Sequence, residues 1–294
     1  MQKKYLSSST PRFVDRKGSL SVTRLGTSRS WSDLYHRLLK LSWGSFLTLI
    51  PVSYLAINAI FALLYLADNN GIENAKPGSF SDAFFFSVQT MSSIGYGAMY
   101  PKTPYANTLV VVEALVGLLI TAVSTGLVFA RFSLPTARVL FSKVAVIDQY
   151  DDVPTLMFRA ANQRGNFMLE AKVKVSLIRN EITKEGKYMR RFYDLKLVRA
   201  QSPAFALTWT VMHCINENSP LYEETPDSLE EKGVELVVTL MGIDETLSQT
   251  VHARYSYVAS EILWNAQFVD ILSTTPDGSK RVIDMKNFHN VVSI

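Results

Sequence analysis

At 294 residues, with 48% hydrophobic and 19% charged residues, the chain is long enough for one membrane module and one soluble domain. A net charge of +4 is too small to indicate nucleic-acid binding, and the single cysteine, Cys214, excludes an intrachain disulfide. His36, His213, His252 and His289 are too scattered for a metal motif, and residues 1–9 carry no signal-peptide pattern.

Residues 1–30 read as a polar leader. In 31–42, Leu34, Leu38 and Leu41 fall at helical spacing while His36, Arg37 and Lys40 occupy other faces. That pattern predicts an interfacial helix lying along a bilayer, though a helix packed on protein fits it as well. Residues 41–67 hold no formal charge over 27 positions, enough to cross the hydrocarbon core, and place a first transmembrane helix at 43–67. Pro51 and Asn58 interrupt it only mildly. Residues 103–130 hold one charge, Glu113, and end at Arg131; they place a second span at 105–132. The alternative, buried helices of a soluble core, seldom runs so long without charge. Nine Lys/Arg residues lie in 1–42 but only Lys76 and Lys102 in 67–104, so both termini are expected in the cytoplasm.

Between the spans, residues 68–104 are too few for a domain. The aromatic-rich run 80–91 is about three helical turns, half the membrane thickness, with Ser79 as a candidate cap. It is followed by Ser92-Ser93-Ile94-Gly95-Tyr96-Gly97. A dehydrated potassium ion needs a column of oxygen ligands, and backbone carbonyls form one only where alternate residues take unusual conformations. Gly95 and Gly97 permit positive φ, Ser93 adds a hydroxyl ring, and Tyr96 can pack outward. Ser93, Ile94, Gly95, Tyr96 and Gly97 are therefore the candidate K+ selectivity filter, K+ being the only metal expected. The negative end of the preceding half-helix also favours a cation. One chain cannot surround a pore, so a C4 homotetramer follows. Glu113, the one intramembrane carboxylate, is expected to be protonated or hydrogen-bonded behind the filter. If it tunes the filter, Glu113→Gln should alter conductance or its pH dependence.

After a linker, 133–140, the pattern turns to period two. Ala171, Val173, Val175 and Leu177 alternate with Lys172, Lys174 and Ser176. Further strands are predicted at 155–159, 207–212, 235–240 and 268–272, with turns at Glu185-Gly186 and Pro276-Asp277-Gly278 and a short helix at 226–231. Residues 141–294 thus form a β-sandwich. No nucleophile elbow, phosphate-cradling loop or paired carboxylates support catalysis, and no cofactor is implied.

Arg12-Phe13-Val14 with Gly18, the stretch 90–97, Ser219-Pro220-Leu221-Tyr222 and Ser260-Glu261-Ile262-Leu263-Trp264 together resemble the inward-rectifier potassium channels, most closely their prokaryotic (KirBac-type) branch. The resemblance implies an α + β membrane protein: two transmembrane helices with a re-entrant pore helix and filter, plus a cytoplasmic immunoglobulin-like β-sandwich, as a homotetramer in the inner (plasma) membrane. It implies a bend at Gly117, and a cavity and bundle crossing lined by Thr121, Thr125 and Phe129. Their four-residue spacing agrees with one helix face. Gly117 suits close packing equally, and Phe129 suits packing between subunits. A flexible cytoplasmic constriction is implied at 242–251, with Gly242, Thr246, Ser248 and Thr250; a plain surface loop fits those residues too. Arg37, Lys40, Arg131, Arg138 and Lys143 are the candidates for anionic lipid, with solvated positive-inside charge as the alternative.

Departures from the family pattern carry expectations of their own. Thr121 stands where strong rectifiers place a cavity carboxylate, and Lys187 where a cytoplasmic acidic ring is usual, so weak polyamine block is expected. Ser42-Trp43-Gly44 replaces Arg-Trp-Arg, Ser93 replaces threonine, and Gln89 and Met99 replace an ion pair behind the filter. A weakly selective cation channel and a membrane-anchored β-domain receptor are the competing readings.

Overall fold

End signals in the sequence delimit the helices. The computed structural model describes Arg12, Asp15, residues 34–275 and residues 278–294. Phe13, Val14, Gly18, the start of the expected interfacial helix (31–33) and Pro276-Asp277 lie outside the described residues. Helix α1 spans Leu34–Lys40. Helix α2, Trp43–Leu66, begins at Ser42, whose hydroxyl accepts the Ser45 N–H at 3.1 Å. Helix α3, Phe80–Met91, is capped by Ser79 through the Asp82 N–H at 3.3 Å. Helix α4, Pro104–Phe132, starts at Thr103, which accepts the Ala106 N–H at 3.2 Å, with Pro104 in the first turn. Strands β1, Ile72–Glu73, and β2, Tyr100–Pro101, pair antiparallel on either side of α3 in sequence.

Only 17% and 11% of the most apolar stretches of α2 and α4 are buried. A soluble core would cover them; a bilayer is what such surfaces suit. The helical unit, 26–134, packs around Phe61, Ala62, Tyr65, Ala83, Phe86, Met91 and Ala106. Tyr65 and Phe86 meet edge to face with centroids 5.1 Å apart.

The second unit contains 135–294. Its strands are β3 Val139–Phe141, β4 Ala145–Tyr150, β5 Val153–Asn162, β6 Met168–Ile182, β7 Tyr188–Asp194, β8 Gln201–Phe205, β9 Thr208–Cys214, β10 Glu235–Asp244, β11 Gln249–Val258, β12 Ile262–Trp264, β13 Ala266–Phe268, β14 Leu272–Thr274, β15 Arg281–Ile283 and β16 Val291–Ser293. One sheet runs β11-β10-β6-β7 with β8 also on β6; the other runs β12-β4-β5-β3 with β9 on β5. Register places Val173 opposite Leu240, Val175 opposite Val238 and Leu177 opposite Leu236, all buried, while Lys172 and Lys174 face outward. Phe158, Trp209 and Tyr257 fill the space between the sheets. Helix α5, Pro226–Glu231, is closed by a reciprocal Thr225–Ser228 capping box.

The strand expected at 268–272 does not form. Asp270 accepts the Leu272 N–H at 2.9 Å and the Val269 N–H turns to the Asn290 carbonyl at 3.1 Å, so the segment breaks between β13 and β14.

Candidate functional site

The hexapeptide 92–97 leaves α3 through a tightened last turn. The N–H groups of Ser92, Ser93 and Ile94 bond to the carbonyls of Val88, Thr90 and Gln89 at 3.1, 3.0 and 2.8 Å. Beyond that turn, alternate residues take left-handed backbone: Ser93 at φ +55°, Gly95 at +58° and Gly97 at +79°. The reversal of handedness turns successive carbonyls in a way no strand or helix does. Glycine meets the conformational demand at 95 and 97, whereas Ser93 meets it with a side chain present. Among the described residues, no hydrogen bond is made to the carbonyl oxygens of 93–97. Ile94 and Tyr96 are exposed in the single protomer, Tyr96 at 75%. Among the described residues, none holds Tyr96 outward.

Polar contacts inside the protomer brace this segment at both ends. Tyr54 on α2 bonds to Ser92, and Asn74 donates to the Ala98 carbonyl at 2.8 Å. Deeper, Glu113 is fully buried between Tyr65, whose hydroxyl lies 2.7 Å from Oε2, and Ser87 of α3 at Oε1. Ser87 also lies 2.9 Å from Asn58 Oδ1, and the Asn58 amide donates to the Tyr54 carbonyl at 2.8 Å and to Met91 Sδ at 3.4 Å. Three helices thus share one buried polar cluster.

On α4, residues 117, 121, 125 and 129 do not share a face. Each four-residue step rotates about 40° beyond a full turn, so Gly117 and Phe129 differ by about 120°. Gly117 is buried against α3, where an added Cβ would stand 2.7 Å from the Met91 carbonyl oxygen. Close packing, not conformational freedom, explains this glycine. Thr121, Thr125 and Phe129 are exposed along the helix, with the Thr121 hydroxyl turned back to the Gly117 carbonyl at 2.9 Å.

Arg131 departs from its expected place among the lipid candidates. Its guanidinium is buried, donates to the carbonyls of Leu38 and Leu39 at 3.1 Å each and to that of Leu41, and lies over the Trp43 and Phe46 rings at 4.7 and 4.8 Å. A cation so enclosed caps the negative end of α1 and leaves no face for a headgroup. Arg37, Lys40, Arg138 and Lys143 are exposed.

The segment 242–251 is a tight hairpin rather than a long flexible ring. Gly242 and Thr250 lie in paired strands, Gly242 opposite Val251 and Thr250 opposite Ile243, and only 245–248 turns. Asp244 holds that turn by accepting from the Thr246 and Leu247 N–H groups at 3.0 and 3.2 Å, and pairs with Arg164 at 2.8 Å and Asn166 at 3.1 Å. Burial opposes ionisation here, but the donors from Asn166, Leu247, Arg164 and Thr246 prevail and hold its carboxyl below the usual range. Ser248 takes φ +52° to close the turn. At Gly242 an added Cβ would meet Met168 at 2.5 Å, beside the register shift between β10 and β6, so this glycine too is a close-packing residue. Lys187 is exposed in the β6–β7 turn, where Gly186 at φ +76° donates to the Thr183 carbonyl at 2.8 Å. Arg12 of the leader pairs with Glu261 and bonds to the Ser256 carbonyl at 3.1 Å, joining two segments that carry the family resemblance.

Residues 139–294 match the inward rectifier potassium channel C-terminal domain, and residues 49–133 match an ion channel family. The chain belongs to the inward-rectifier potassium channel family. It is 51% identical to the inward rectifier potassium channel Kirbac3.1 of Paramagnetospirillum magnetotacticum over 96% of both chains. It is 31% identical to the ATP-sensitive inward rectifier potassium channel 12 of Gallus gallus, covering 96% of this chain and 72% of that one. The G protein-activated inward rectifier potassium channel 1 of Homo sapiens is also 31% identical, over 95% of this chain and 60% of that one. As a member of this family the chain carries its conduction module and cytoplasmic β domain in one polypeptide, and the hexapeptide 92–97 falls inside the ion channel match. Sequence reasoning missed the capping role of Arg131 and the full membership of the Glu113 cluster. The signals for them were a helix ending at Lys40 with its last carbonyls unpaired, and polar Asn58, Ser87 and Glu113 in otherwise apolar helices.

Proposed function

We propose that four copies of this chain surround a K+-selective pore in the plasma membrane, with both termini cytoplasmic, and that passive permeation, not catalysis, is its function. The observation that carries this reading is the alternation of positive φ at Ser93, Gly95 and Gly97, with the carbonyls of 93–97 free of partners among the described residues, at the end of a capped half-helix. Such carbonyls need four chains around an axis to replace an ion's hydration shell. Potassium is then the permeant ion and no further cofactor is required. Thr121 and Thr125 line the cavity, and the exposed Phe129 rings form a hydrophobic constriction that gates by dewetting. The hairpin around Thr246, Ser248 and Thr250 forms the cytoplasmic constriction. Thr121 and Lys187, offering no carboxylate to a polyamine, make rectification weak. Exposed Arg37, Lys40, Arg138 and Lys143 supply the charge for anionic lipid.

The test is rubidium uptake into liposomes holding the purified tetramer, with sodium competition and barium block, beside Gly95→Asp. Selective, barium-sensitive uptake lost in the variant is the expected result. A folded tetramer that passes no rubidium across lipid compositions and pH would overturn the reading.

A further inference from the structure

Hydrogen-bond counting in the buried cluster assigns a proton to Glu113. Glu113, Ser87 and Asn58 have no exposed surface and Tyr65 has 2%, all within a single protomer, so neither solvent nor a neighbouring copy can complete the cluster. The Asn58 amide must point its NH2 at the Tyr54 carbonyl, which can only accept, at 2.8 Å; its second hydrogen meets Met91 Sδ at 3.4 Å. That orientation leaves Asn58 Oδ1 toward Ser87, 2.9 Å away, as an acceptor needing a donor. Ser87 has a single hydroxyl proton and two neighbours, Asn58 Oδ1 and Glu113 Oε1. If it serves Asn58, its oxygen must accept from Glu113, which requires the carboxyl to carry the proton. Tyr65 then donates to Oε2 at 2.7 Å, and every group is satisfied. With Glu113 ionised, Ser87 has to turn its proton to the carboxylate, and the buried Asn58 oxygen is orphaned beside a buried charge; among the described residues no cation contacts that charge.

We infer that Glu113 is a neutral carboxylic acid that acts as a positioning residue for the filter, donating to Ser87 on α3 and accepting from Tyr65 on α2. The inference rests on the reading of 93–97 as the filter. Ser87 lies six residues before Ser93, so the acid fixes the depth and rotation of α3, and with them the starting point of the carbonyl column. A glutamine reproduces both bonds: its NH2 donates to Ser87 and its oxygen accepts from Tyr65. The proton count therefore reverses the expectation from sequence that Glu113→Gln disturbs conduction.

The experiment compares wild type, Glu113→Gln, Glu113→Ala and Ser87→Ala as purified tetramers in liposomes. Infrared spectroscopy at neutral pH should show a carboxylic-acid C=O band in wild type that Glu113→Gln lacks. Glu113→Gln should keep the wild-type rubidium over sodium preference and barium block. Glu113→Ala, which leaves the Tyr65 hydroxyl without an acceptor and the Ser87 oxygen without a donor, should lower that preference about tenfold. A wild-type spectrum holding only carboxylate at this position, or a Glu113→Gln variant as impaired as Glu113→Ala, overturns the inference. If Glu113→Ala does not assemble, the infrared band and the glutamine variant still decide. Failure of the filter reading is separate: there wild type itself passes no selective rubidium.

Discussion

Gly117→Ala separates two accounts of the inner helix. As a hinge, Gly117 would be valued for flexibility, and alanine would stiffen α4 while leaving the filter alone. The structure instead puts the new Cβ 2.7 Å from the Met91 carbonyl oxygen and 3.0 Å from Met91 Cγ. The side chain can rotate away, but the carbonyl belongs to the last turn of α3 and must move by several tenths of an ångström. Alanine gains about 1 kcal/mol in helix propensity. Overpacking against backbone costs about 1–3 kcal/mol. The expected net result is a loss of up to about 2 kcal/mol per subunit, delivered at the turn that launches Ser93. Thermal unfolding of the tetramer should therefore fall, and rubidium over sodium preference should fall with it. Unchanged or raised stability with intact selectivity, and a shift only in open probability, would refute the packing argument and restore the hinge.

Arg131→Ala strips three carbonyls at the end of α1 of their donor and removes a cation from two rings. A loss of about 2 kcal/mol, or roughly 30-fold faster amide exchange in 34–40, is expected by hydrogen-exchange mass spectrometry; unchanged exchange would mean the cap is dispensable. Lys187→Glu should strengthen spermine block from the cytoplasmic side about tenfold, read as current inhibition in planar bilayers. His213 is buried, with Nδ1 on the Lys196 carbonyl at 2.7 Å and Nε2 on the Ser219 hydroxyl at 2.8 Å. Burial, partly offset by the Lys196 carbonyl, pushes the imidazole down from its ordinary value, so the folded state holds it neutral. The unfolded chain binds this proton first, so the contribution of His213 is complete above about pH 6.5 and declines below it, by at most about 1.4 kcal/mol per pH unit. Tetramer melting against pH should be flatter in His213→Gln; an identical slope would remove His213 as its source.

The parts of the molecule that could be read from sequence are those where one physical demand dominates. A bilayer requires long charge-free runs, and α2 and α4 occupy them; positive φ requires glycine, and 95 and 97 supply it. Period two marked β6 because one face is buried and the other solvated. The strand expected at 268–272 failed because Asp270 competes for a backbone N–H, a local choice that hydrophobicity does not register. Spacing alone does not place Arg131, because a cation beside a membrane can meet a headgroup, solvent or a helix end, and here it meets the end of α1. The four-residue spacing at 117–129 was misleading for a geometric reason: 40° of drift per step is small once and decisive after three.

The same drift explains how one helix serves two tasks. Glu113 and Gly117 are buried toward α3, one through hydrogen bonds and the other through contact, while Thr121, Thr125 and Phe129 emerge on an exposed surface. The N-terminal half of α4 is thereby committed to holding α3, and its C-terminal half presents Thr121, Thr125 and Phe129 on an exposed surface. That division bears on the missing ion pair at Gln89 and Met99. Tyr54 on Ser92, Asn74 on the Ala98 carbonyl and the cluster at Ser87 fix the segment before, after and below its carbonyls. An ion pair placed there in addition would need two more charges desolvated for a position already determined, and the desolvation can exceed the Coulombic gain. If Glu113 carries its proton as proposed, the braces inside the protomer are all neutral hydrogen bonds, which hold geometry without adding charge beside the proposed filter.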